Sequence, residues 1–360
     1  MSNNLTPARL VTPGRILSRE LEARGWTQKD LAEIIKRPPQ AINEIIQGTK
    51  QITPDTALEL SEAFGTSPEF WNNLEANYRL NLAKKRKNDA DIQRRSRLYS
   101  LAPIAELIKH RWIEPRTDSI EDLEKAVCDF LKINSPEETP KLAVNFRHNR
   151  QLDPENSSLI AWIKRVEHLA RQQEVGTFRE EKLQAIIPDI LACAESEEKI
   201  AQVSSLILDL GIHFVIVPHL NLNKTYLDGA AFYLGQNPVI ALTLRHNRID
   251  CFWFTLLHEL GHIDAGHRGL YLDDIEHLES NPEETEANQK ARDWLISPLA
   301  YENFIAETKP KFSSKAIEDF AHAQKRHPGI VLGRLQHDNY IGYSNLRKYL
   351  VKVHPYLTNL

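Results

Sequence analysis

Apolar positions in the first eighty residues recur at helical spacing, in short blocks divided by turn-forming residues. Residues 13–25 read as an amphipathic helix closed by Gly25. Thr27 then caps a second helix over 28–35, which Lys36-Arg-Pro-Pro39 breaks. Residues 40–48 form a third helix ended by Gly48, residues 53–65 a fourth, and Pro68 opens a fifth. Short helices, a tight turn and a polar third helix predict a helix-turn-helix bundle over 1–80. Residues 101–205 alternate amphipathic stretches, such as 159–170, with polar breaks. They predict a helical middle region without a motif, open to use as a platform, a dimerisation surface or a ligand-sensing cavity. The pattern then changes. Residues 212–218 read as a buried strand, and 230–234 with 239–244 as a hairpin turning at Gln236-Asn-Pro238. An apolar helix follows, buried by Phe252, Leu256, Leu257, Leu260 and Ile263. The expected fold is mainly α with a small α+β part. Its parts are the bundle at 1–80, a linker at 81–100, the helical middle at 101–205, and a last domain at 206–360 with a small twisted sheet.

The apolar helix carries a His-Glu-x-x-His motif. His258 and His262 sit one turn apart on one face, so both imidazoles can reach one zinc ion. Glu259 lies beside them, where a carboxylate can take a proton from a zinc-bound water. A half-buried helix with two satisfied histidines has the same pattern, so the third ligand decides. The metzincin spacing would need His and Gly at positions occupied by Arg268 and Ala265. His267 is one residue short of that spacing and reads as a loop or supporting residue. In the acidic stretch that follows, Ala287, Asn288, Ala291 and Leu295 share a helical stripe with Glu284. Glu286 lines up with Lys290 and Asp293 on the polar side. Glu284 is therefore the expected third ligand, and Asn288 a support for a ligating His.

These residues together resemble the ImmA/IrrE metallopeptidase family. The likeness rests on Phe252-Trp-Phe-Thr, His-Glu-Leu-Gly-His262, Glu284-x-x-Ala-Asn288-x-x-Ala291, Leu-Ile-Ser-Pro298 and the tail 328–337, and runs from about Leu206 to Tyr343. Lys290 departs from it, standing where the family usually has an aromatic residue. The resemblance implies a zincin-like proteolytic domain that often acts on a transcription repressor. In that reading His258, His262 and Glu284 hold Zn2+, water fills the fourth position, and Glu259 is the base. Tyr343 and His337 are candidates for stabilising the oxyanion. Residues 8–80 resemble the Xre/HigA class of repressors and antitoxins, through Thr53-Pro-Asp-Thr-Ala-Leu58 and Phe64-Gly-Thr-Ser-Pro-Glu-Phe-Trp71. The joint expectation is a DNA-binding regulator fused to a zinc metallopeptidase. The alternative is a HigA-type antitoxin and autorepressor whose zinc domain senses a signal or binds a toxin without proteolysis.

Charge refines the picture. Residues 1–80 hold nine basic and ten acidic side chains, so sequence readout falls to amides on the third helix. Gln40 and Asn43 are placed to bond base edges, Glu44 to read cytosine or face solvent, and Arg37 and Lys50 to meet phosphates. Such a small module is expected to bind operator DNA as a homodimer. Residues 84–97 carry seven basic and two acidic side chains and read as a phosphate-facing helix extension or, in preference, a solvated linker. Residues 273–286 carry seven acidic side chains and no Lys or Arg, and read as a mobile loop between the two metal-binding helices. Three scattered cysteines, no apolar run of membrane length and no apolar leader predict a bacterial cytoplasmic protein without a membrane partner.

Overall fold

The computed structural model describes residues 11–86, 89–142, 157–220, 227–269, 271–273 and 282–357. They fall into two compact units, Met1–Arg95 and Ser96–Leu360. The first unit contains α1 (Pro13–Arg24), α2 (Gln28–Ile34), α3 (Pro39–Ile46), α4 (Pro54–Phe64) and α5 (Pro68–Arg86). A capping box starts α2: Thr27 Oγ1 accepts from the Asp30 amide at 3.2 Å, and Asp30 Oδ2 accepts from the Thr27 amide at 2.7 Å. Leu17, Leu31, Ile42, Leu60 and Trp71 form the fully buried centre of the bundle. Trp71 donates its indole N–H to Thr66 Oγ1 at 2.8 Å, so its burial leaves no orphan donor.

The described part of the basic stretch is helical, which departs from the preferred linker reading and agrees with the helix-extension alternative. Helix α5 runs to Arg86, α6 (Asp89–Leu101) resumes, and the boundary between the units falls within α6. Lys87 and Asn88 lie outside the described residues. The stretch has no Gly or Pro, and Ala, Lys, Arg and Gln are good helix formers, so charge alone does not break it.

The second unit continues with α7 (Ile104–Lys109), α8 (Ile120–Leu131), α9 (Ser157–Ala170), α10 (Glu180–Ala192) and α11 (Val203–Asp209). Strands β1 (His213–Ile216), β2 (Gly229–Leu234) and β3 (Asn237–Leu242) precede α12 (Ile249–Asp264). After it come β4 (Tyr271–Asp273), α13 (Pro282–Leu295), α14 (Pro298–Thr308), α15 (Ser314–Gln324) and α16 (Pro328–His337). The sheet order is β1-β3-β2-β4, with β1 parallel to β3 and β2 antiparallel to β3 and β4. The expected hairpin is β2–β3, with Ala231 opposite Ile240. Strand β4 was not anticipated, being only three residues long. The acidic loop expected over 273–286 lies mostly outside the described residues, and its last five residues open α13.

The expected boundary at 205/206 is not a domain boundary. Alternate strand residues point to opposite faces. Val215, Phe232, Val239 and Ala241 join one core with Leu98, Leu107, Leu131 and Trp162 from α6–α9. Phe214, Ile240 and Leu242 join the other with Trp253, Leu256, Leu260 and Leu332. The sheet is thus covered on both faces, which explains its nearly unbroken apolar strands. The helical middle is divided between the two covering layers, α7–α9 on the first face and α10 and α11 on the second. Among the described residues no helix is long and apolar enough to cross a membrane.

Candidate functional site

Helix α12 is buried on nearly all sides, and its motif residues His258, Glu259 and His262 are each at most 2% exposed. It packs against α13, where two small residues meet. A Cβ on Gly261 would stand 3.2 Å from both the Cα and the carbonyl oxygen of Ala287. This close approach, with Glu284 nearly one turn before Ala287, brings the carboxylate onto the two imidazoles. Glu284 Oε2 is 3.1 Å from His258 Nε2 and 3.4 Å from His262 Nε2, and the two Nε2 atoms are 2.9 Å apart. A tetrahedral zinc with bonds of about 2.0–2.2 Å separates its ligands by about 3.3–3.6 Å. The triangle is slightly tighter than that, and its donor set of two imidazoles and one carboxylate fits a zinc site with an open fourth position.

The surroundings favour the same geometry. His258 Nδ1 donates to Asn288 Oδ1 at 3.1 Å, which holds the ring with Nε2 facing Glu284. His262 Nδ1 shares a proton with His267 Nδ1 at 3.0 Å, so His267 supports a ring in the cluster. Burial, then the neighbouring His262, hold the His267 imidazole below its ordinary range, favouring its neutral form. Burial alone raises the Glu284 carboxyl. Hydrogen bonds and charge from His258 and His262 outweigh it and hold the group well below the usual carboxylate range. Glu286 is half exposed and pairs with Lys290 at 3.3 Å and His267 at 3.6 Å. Lys290 also reaches Asp264 at 2.8 Å, tying α13 to the end of α12 by an ion pair.

Gly229, at the start of β2, is a residue that the sequence reading missed. A Cβ there would overlap Glu259 Oε1 and stand 2.6 Å from Thr255 Cγ2, so glycine makes room for the buried carboxylate. An isolated Gly at the start of an apolar run was the available signal. The oxyanion candidates lie elsewhere. Tyr343 and His337 line a cavity whose wall includes none of the three clustered side chains, and His337 is bonded to Asp338 at 3.0 Å. The structure therefore does not bring them to the cluster.

In the first unit, Gln40 of α3 and its C-cap Gln47 are exposed, with Asn43 and Glu44 half-buried beside them. Gln40 donates to Glu44 Oε1 at 3.0 Å, and Gln47 donates to Asn43 Oδ1 at 3.3 Å. Base contact must exchange these bonds. Lys50 is exposed and 3.7 Å from Glu44. Arg37 has a partner within the bundle. Its guanidinium forks onto Glu59 of α4, through Nε and through Nη2 at 3.1 Å, and so ties the turn to α4.

Known proteins resemble the first unit. The helix-turn-helix family matches residues 17–71. The virulence-associated protein I of Dichelobacter nodosus is 36% identical over 83 residues, covering 23% of this chain and 77% of that protein. An uncharacterized HTH-type transcriptional regulator of Escherichia coli, YddM, is 29% identical over 86 residues, covering 24% of this chain and 88% of its own. A solved addiction module antidote protein of a HigA family from Coxiella burnetii is 36% identical, covers 24% of this chain and 94% of its own, and has a TM-score of 0.23.

Proposed function

We propose a function from one premise: the chain belongs, through residues 17–71, to the helix-turn-helix family. It is a transcriptional regulator that binds double-stranded DNA through α3, as a homodimer, and its second unit is a zinc-dependent peptidase acting on a regulatory protein. The family match supports the first half. Three α3 side chains, Gln40, Asn43 and Glu44, with Gln47 at the C-cap, offer donors and acceptors to base edges.

The second half is carried by one observation, the convergence of His258, His262 and Glu284 beside the buried Glu259. A zinc ion held there would supply Lewis acidity toward water and a peptide carbonyl. The chain's own residues do the rest. Asn288 and His267 orient the imidazoles. Glu259, shielded from bulk water and given room by Gly229, takes the proton of the attacking water and returns it to the leaving amine. A zinc site that only stabilised the fold would have no use for a carboxylate at that position.

Glu259→Gln tests the reading, because it removes the base and spares the clustered donors. Metal content is measured by emission spectroscopy, operator occupancy by chromatin mapping, and proteolysis by comparing proteome termini in wild-type and mutant cells. The expected result is about one zinc per chain and unchanged occupancy, with a set of fragments lost. Identical fragments in both strains would leave the second unit without peptidase chemistry, as in a regulator whose zinc domain only senses a signal or binds a toxin.

A further inference from the structure

The first half of α12, the second half of α13, α16 and the turn after it enclose a cavity of about 670 Å³. Its size is that of a site for a small organic molecule. Its walls are of two kinds. Phe254, Leu295 and Ile330 supply an apolar surface, and three arginines supply charge.

The arginines differ in how far their charge is met. Arg248 forks onto Asp250, at 3.0 and 2.5 Å. Arg334 bonds Asp338 at 2.7 Å and lies 5.1 Å from the Tyr301 ring centre. Arg292 has neither kind of partner. Among the described residues its guanidinium makes one long contact, 3.5 Å to His337 Nε2, and meets no carboxylate within 4.0 Å. Burial, then the charge of Arg334, depress its pKa, outweighing the more distant charges of Asp338 and Asp293. Asp250 is the one acidic residue on the wall, and Arg248 already neutralises it. A half-buried guanidinium with unused donors beside an apolar wall matches a ligand with an anionic head and an apolar body.

We infer that this cavity binds a small organic anion, its carboxylate or comparable acidic group on Arg292 and its apolar body against Phe254, Leu295 and Ile330. The inference does not depend on peptidase activity. Binding here stabilises the packing of α12, α13 and α16, because the unfolded chain lacks the site.

The full-length protein is titrated with two fluorescent probes of similar shape, anionic 8-anilinonaphthalene-1-sulfonate and neutral N-phenyl-1-naphthylamine. The wild type binds the sulfonate saturably and more tightly than the neutral probe. Arg292→Gln weakens the sulfonate by about tenfold or more and leaves the neutral probe little changed. Phe254→Ala weakens both, and Lys315→Gln, at an exposed site outside the cavity, weakens neither. A competition on the wild type needs no variant: sodium octanoate displaces the sulfonate, and octan-1-ol at equal concentration does not. Equal displacement by acid and alcohol overturns the inference. So does equal sulfonate affinity in the wild type and a folded Arg292→Gln, judged by circular dichroism.

Discussion

Replacing Asn288 by Ala asks whether the cluster on α12 and α13 is built to hold a metal. Asn288 is 8% exposed, and its amide oxygen lies 3.1 Å from Nδ1 of His258, a ring only 2% exposed. That bond fixes which ring nitrogen carries the proton. Without it, the tautomer with Nε2 protonated gains population, and that form cannot ligate until it is converted. Loss of such a supporting bond weakens metal binding by about 10–100-fold, or about 1.4–2.7 kcal/mol. A chromophoric chelator competing for zinc reads the affinity, with circular dichroism as the check on folding. Glu286→Ala is the control, since its carboxylate is half exposed and faces Lys290 and His267 rather than the cluster. Zinc affinity within about twofold of wild type in a folded Asn288→Ala would refute the orienting role. An equal loss in Glu286→Ala would refute the geometric choice of Glu284.

Gly229→Ala forces the buried Glu259 carboxylate and Thr255 aside and should cost about 1–3 kcal/mol in urea unfolding of the second unit; an unchanged midpoint would place Glu259 away from β2. Gln40→Ala should lose about 1–3 kcal/mol of discrimination between operator and altered sites in competition binding. Arg37→Ala should instead lower stability through the lost Glu59 fork, and a pure loss of DNA affinity would mark Arg37 as a phosphate contact. Asp338 is depressed below its ordinary 3.8: burial raises it, but hydrogen bonds from His337, Arg334 and Tyr301 outweigh burial. Its stabilisation is therefore complete above that ordinary value and is lost as pH falls through the lower, folded one. Asp338→Asn should destabilise at neutral pH and progressively less in acid, as measured by thermal melts from pH 7 down; a deficit constant with pH would contradict the sign.

Much of this protein was legible in the chain. The bundle was readable because its signals are local: Thr27 and Asp30 cap α2, prolines open α4 and α5, and Gly25 and Gly65 close α1 and α4. The choice of Glu284 over Glu286 followed from helical periodicity, which fixes the face on which a residue stands. What the sequence left out depends on contacts between distant segments. The stretch at 81–100 looked like a linker because its charge was conspicuous, yet its residues favour helix, and Leu98 is fully buried in a core of the second unit. The division at 205/206 looked natural because strands begin there. Only the assembled sheet shows that residues from α6–α9 cover its second face. The pairing of Arg37 with Glu59 was hidden until α4 came beside the turn, and Gly229 was silent until β2 ran beside Glu259. Periodicity and caps act within a few residues and can be read one segment at a time. Which carboxylate meets which cation, and which strand needs a second covering layer, is decided only when segments far apart in the chain exclude water together.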